Sequence, residues 1–140
     1  MNVDLVYPMA AMVLITFVVL MKMFFARVRA VRAGEADAGY YKTYQEGKEP
    51  RAVAQLSRHF VNMFESPTLF YAACITGMLT GQNALLLVTL AWVYVAMRAA
   101  HAYVHTGSNS LPPRIKIYFS SWLVLLGMWA TLVVGVAANA

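Results

Sequence analysis

The segment Arg58–Leu79, RHFVNMFESPTLFYAACITGML, decides how this chain is read. From Phe60 onward it is apolar enough to cross a bilayer, yet Arg58, Asn62 and Glu65 recur along it at spacings of four and three. A charge at the centre of a spanning helix costs about 2.5–3.5 kcal/mol on insertion scales. Two charges and an amide on one stripe therefore need a compensating environment. A buried polar site between helices supplies one.

The rest of the chain agrees with a membrane setting. Of 140 residues, 61% are hydrophobic and 12% charged, roughly half the charge of a soluble domain. Four apolar stretches stand out: Leu5–Phe25, Phe60–Leu79, Ala84–Ala100 and Ile117–Ala138. A span needs roughly 20 apolar residues, with a range of about 17–25. The expected architecture is an all-α, integral membrane four-helix bundle forming a single domain over residues 1–140. Its spans should cover about 5–33, 52–80, 84–106 and 112–138, with a cytosolic loop over 34–51. The first stretch follows Asp4 and has no basic residue ahead of it. That polarity is opposite to a secretory signal, so it reads as a retained span.

All 11 Lys and Arg residues lie around the first and third connections. The positive-inside rule then predicts a multi-pass protein with both termini on the non-cytoplasmic side, in the inner membrane if the cell is bacterial. A basic rim against an anionic leaflet accounts for the +5 net charge, and no nucleic acid partner is called for. The lone cysteine, Cys74, forbids an internal disulfide and sits in an apolar run, where a packing role is expected.

Local signals place the ends. Gly34 should stop the first helix, and the polar stretch Gly34–Pro50 carries Tyr40, Tyr41 and Tyr44. Helix two should begin near Arg51, with Pro67 kinking it. Gly77 and Gly81 favour a tight outer turn about Gly81–Gln82. Pro112 and Pro113 suit the first turn of helix four, where a missing N–H costs nothing.

At 100° per residue, Arg58, Asn62 and Glu65 fall within about 60° of one another. Arg98, His101 and His105 form a second stripe on helix three. Folding the two helices as a hairpin sets Glu65 level with Arg98, Asn62 with His101 and Arg58 with His105. Glu65 and Arg98 would then pair and offset much of each other's burial cost. Arg114, at the start of helix four, would overhang the mouth of the resulting pocket. The pocket suits a small zwitterionic or anionic ligand, with arginines taking carboxylates bidentately. His59 points about 100° off the Arg58 direction and reads as interfacial. Helix-to-helix glue is the bland alternative for such a stripe. His101 and His105 lack a third ligand of clear spacing, so no metal site is predicted.

The pattern Arg58-x3-Asn62-x2-Glu65, with Pro67 close behind, resembles the signature of the MAPEG family, the membrane-associated proteins in eicosanoid and glutathione metabolism. Arg98-x2-His101-x3-His105-x8-Arg114 is similar in spacing to the branch that holds membrane-bound prostaglandin E synthase and microsomal glutathione transferase. This resemblance implies a homotrimer with glutathione, as co-substrate, held between subunits. It assigns glutathione binding to Arg58, Asn62, Glu65, Arg98, His101 and His105. It assigns Arg29, or else Arg27, to the same task from the end of helix one. Arg114 takes the catalytic role of stabilising the thiolate. The implied activity is a glutathione transferase or peroxidase acting on lipophilic electrophiles or hydroperoxides that arrive through membrane lipid. Relatives often carry tyrosine where this chain has His105 and Ser66, which keeps a non-enzymatic lipid-binding scaffold or accessory membrane subunit as the alternative. A proton-coupled exporter is a third reading, weakened because helix one carries only Asp4 and Lys22 near its ends.

Overall fold

The structure is a computed structural model that describes residues 3–45, 47–81 and 84–138. Among these the regular structure is helical throughout. A single 3-10 turn, Val3–Leu5, leads into α1 (Val6–Arg32), followed by the one-turn α2 (Tyr40–Thr43), α3 (Arg51–Asn62), α4 (Ser66–Thr80), α5 (Ala84–Thr106) and α6 (Leu111–Ala138). Three helical stretches are long and apolar enough to cross a membrane: Val3–Arg32, Leu85–Thr106 and Leu111–Ala138. The segment Arg58–Leu79 is not among them, because it is divided between two helices placed end to end.

The break falls at Met63–Glu65 rather than as a kink at Pro67. Proline has no N–H for the carbonyl four residues earlier and its ring crowds that carbonyl, so an unbroken helix would be disrupted around Met63. Here the chain stops at Asn62 and restarts at Ser66, leaving Pro67 in the first turn of α4, where that donor is not needed. The other ends follow ordinary chemistry. Gly34, with φ +71°, lies just past the end of α1, and Gly81, with φ +65°, caps α4 in the left-handed region, which glycine enters without steric cost. Gln82 and Asn83, the rest of the expected outer turn, lie outside the described residues.

Helix α1 packs on α3, α4 and α5, α4 packs on α5 and α6, and α5 lies along α6. Phe70 of α4 stacks on Tyr94 of α5 with ring centroids 4.6 Å apart and planes 14° from parallel. The Tyr94 hydroxyl shares a 2.9 Å hydrogen bond with Ser66 Oγ, which satisfies two polar atoms that the interior would otherwise penalise. Gly77 lets α4 approach α5 closely, since a Cβ there would sit 2.2 Å from Leu87 Cδ2. Cys74 is free and buried in the core. Trp122 and Trp129 pack partly buried against that core, while Trp92 is exposed.

The connection between α1 and α3 folds back on α1. The rings of Tyr40, Tyr41 and Tyr44 pack edge to face, and the Arg27 guanidinium lies 5.0 Å from the Tyr41 ring centroid and 5.5 Å from that of Tyr44. Burial, followed by the neighbouring Glu49 carboxylate, raises the Tyr41 phenol above its ordinary pKa.

Candidate functional site

The register inferred from spacing brings α3 and α5 together at matched depths, but α3 is turned by about one residue. His59, not Arg58, faces α5. Its ring centroid lies 4.6 Å from His105 and 5.4 Å from His101, and its side chain is fully buried. His59 is buried while Arg58, one 100° step away on α3, is exposed.

Glu65 and Arg98 do not pair. Glu65 falls in the break, where its side chain is exposed. Arg98 is fully buried and gives Nη2 to the Asn62 carbonyl at 3.1 Å and, more weakly, to Met63 Sδ at 3.8 Å. The break makes this bond possible, because carbonyls at a helix end lack intrahelical partners. Arg98 also lies 5.9 Å from the Tyr118 ring centroid, within cation–π range. Its Nε and Nη1 remain buried without partners, as do His101 Nδ1, His105 Nδ1 and both nitrogens of His59. Among the described residues no group of acids, cysteines and histidines is arranged to hold a metal.

Above this floor lies a cleft of about 840 Å³. It gathers Arg58 and Asn62 from α3, His105 from α5 and Arg114 from α6. Four of the residues expected at the site thus meet in one volume. Glu65, Arg98, His101 and Arg29 do not line it. Arg98 and His101 lie in the buried layer with His105, and Arg29 is exposed on α1, its Nε giving a 3.3 Å bond to the Phe25 carbonyl. Ser66 is turned inward to Tyr94, so that departure from the family pattern does not reach the cleft.

The cleft also contains residues that the sequence reading missed. Arg51 and Gln55 extend the Arg58–Asn62 stripe toward the basic end at the same helical spacing, a continuation legible in the sequence. Gln55 Nε2 donates to the His105 carbonyl at 2.5 Å and so ties α3 to the end of α5. Asn109 Oδ1 accepts from Arg114 Nη1 at 2.6 Å, fixing the guanidinium at the rim. Neither contact nor the Tyr118 position carries a spacing signal, because the first and last depend on how separate helices pack and the second on the conformation of the short connection before α6.

Three arginines, three side-chain amides and no carboxylate line this cleft. It is therefore an anion-attracting site at one end of a helical membrane protein, floored by imidazoles. A family model for the MAPEG family matches residues 5–134, and the chain belongs to that family, whose membrane proteins include glutathione transferases and related enzymes. No curated protein and no solved structure gives a match.

Proposed function

We propose that the chain is a membrane-bound glutathione-dependent transferase or peroxidase acting on lipophilic electrophiles or hydroperoxides. The observation that carries this reading is the basic cleft itself, in which Arg51, Arg58 and Arg114 surround Gln55, Asn62 and Asn109 with no opposing carboxylate. Three guanidinium groups suit the two carboxylates of glutathione, and side-chain amides suit its peptide groups. Glutathione, when bound, supplies a thiol nucleophile. A thiol of ordinary pKa about 8.5 is mostly protonated at neutral pH. Arg114, pinned by Asn109, would hold its charge beside the sulfur and favour the thiolate, the reactive form.

The reading includes α3 and α4 crossing the membrane together as one broken span, giving four spans with both termini outside. It also includes a homotrimer with the cleft completed at a subunit boundary. Support for the latter is the exposure of Arg58 and Glu65 on a segment otherwise apolar enough for lipid. Charges facing hydrocarbon are costly, and a neighbouring chain would cover them. Glu65, three residues past Asn62, would then be available to the γ-glutamyl ammonium, which finds no carboxylate in the cleft of one chain.

The test is direct. Purified protein titrated with glutathione should show a saturable ultraviolet thiolate difference signal. Arg114→Ala should reduce it by about 100-fold or more, on the scale of losing one transition-state charge donor. Absence of saturable binding in the wild-type protein would sink the proposal.

A further inference from the structure

A second hollow lies on the α1 side of Arg58. Its volume is about 420 Å³, and Arg27, Glu49, Ser57 and Arg58 line it together with Met23 and Phe60. Phe60 is also a wall of an apolar groove of about 440 Å³, which runs along α1 past Leu20, Phe17 and Val13. Arg27, Met23, Leu20, Phe17 and Val13 follow one another at steps of three or four, so they occupy one face of α1. At 1.5 Å per residue the face is about 21 Å long, of which the apolar groove from Leu20 to Val13 takes about 10 Å. A polar chamber at the basic end of α1 thus adjoins, across Phe60, an apolar groove with room for the first half of an acyl chain.

The chamber holds two opposite charges that do not meet. Arg27 Nη2 donates to Ser57 Oγ at 2.9 Å, and the tyrosine rings hold its guanidinium in place. Its Nε is buried with no acceptor, and Glu49 Oε2 is buried with only the neutral Tyr41 hydroxyl beside it. Paired ions would satisfy each other, and burying such atoms apart is costly. A ligand carrying both a phosphate and an ammonium satisfies both. Arg58, which also borders the basic cleft, offers the phosphate a second guanidinium.

We propose that the hollow and the groove together bind one glycerophospholipid with an ammonium-bearing headgroup. Its phosphate lies between Arg27 and Arg58, its ammonium at Glu49, and one acyl chain along Leu20, Phe17 and Val13. Charge complementarity selects this occupant: an anionic lipid would leave Glu49 unanswered, and an apolar segment of another chain would leave both charges unanswered. The site shares Arg58 with the basic cleft and is otherwise built from different residues.

The experiment uses the full chain in nanodiscs of phosphatidylethanolamine and phosphatidylglycerol in equal parts. The protein is then extracted into detergent, and retained lipid is read by native mass spectrometry. One phosphatidylethanolamine per chain is expected, in several-fold excess over phosphatidylglycerol. Glu49→Gln should bring the ratio of the two lipids close to one. Leu20→Trp, which fills the groove, should lower retention of both about tenfold, with thermal melting showing that each variant is folded. Water-soluble phosphoethanolamine in excess should not displace the lipid, because it lacks the chain. Equal retention in wild type and both variants overturns the proposal, as does displacement by phosphoethanolamine. So does cross-linking of Leu20→Cys to a second copy, which would show that a neighbouring subunit occupies the groove.

Discussion

Arg58 and His59 are neighbours in the chain and opposites in the fold. One is exposed at the edge of the basic cleft, and the other is fully buried against His101 and His105. A 100° step around α3 separates them. Such a step divides a polar helix into a face that can meet ligand and a face that builds the protein. The same division appears across the whole site. The rim is made of guanidinium groups and amides within reach of water, while the floor is made of imidazoles and Arg98 with several nitrogens unpartnered. Histidine and arginine therefore do different work here according to depth and rotation, not residue type.

Truncating the inner member should have the larger effect on the fold. His59 has no hydrogen bond to lose, so His59→Ala acts mainly by leaving a cavity against two rings, at about 2–3 kcal/mol for a side chain of that size. The expected result is a clearly lower melting temperature in detergent, with glutathione affinity within about twofold of wild type. A loss of affinity with no loss of stability would invert the contrast and place His59 in the ligand site. Arg58→Ala should behave the other way. An exposed arginine contributes within about 0.5 kcal/mol to stability, whereas one charge-assisted contact to a carboxylate is worth about 1.5–3 kcal/mol. Titration calorimetry with glutathione should show an affinity at least about tenfold weaker, with unchanged melting.

The contrast also explains what the sequence could and could not reveal. Depth was legible only roughly: distance from the outer turn set Glu65 level with Arg98 and Asn62 with His101, whereas Arg98 bonds the Asn62 carbonyl, three residues away from that register. Rotation was not, because it depends on which side chains of α3 find partners across the interface, and spacing alone does not choose His59 over Arg58. A proline marks the place of a bend only indirectly: the consequence of Pro67 falls on the preceding turn, at Met63–Glu65. That break moves Glu65 out of helix and away from Arg98. Within one helix the reading was more complete: Arg51 and Gln55 continue the stripe at helical spacing. Contacts between elements, such as Asn109 with Arg114, had no signature at all.

That last contact gives the finest test of the rim. Asn109 has φ +50°, a conformation that asparagine tolerates better than most residues and glycine tolerates freely. Its backbone N–H bonds the Val104 carbonyl at 2.8 Å, and that bond does not need the side chain. Asn109→Gly should therefore keep the turn and remove only the acceptor for Arg114 Nη1. A hydrogen bond of this kind contributes about 0.5–1.5 kcal/mol net, so the thiolate signal should fall by roughly three- to tenfold with melting unchanged. Asn109→Ala removes the same acceptor but adds a left-handed backbone cost of about 1 kcal/mol or more, so it should melt lower while losing a similar amount of signal. If Asn109→Gly instead eliminates the signal as fully as Arg114→Ala, the rim acts as one coupled unit, and Arg114 has no independent hold on the sulfur.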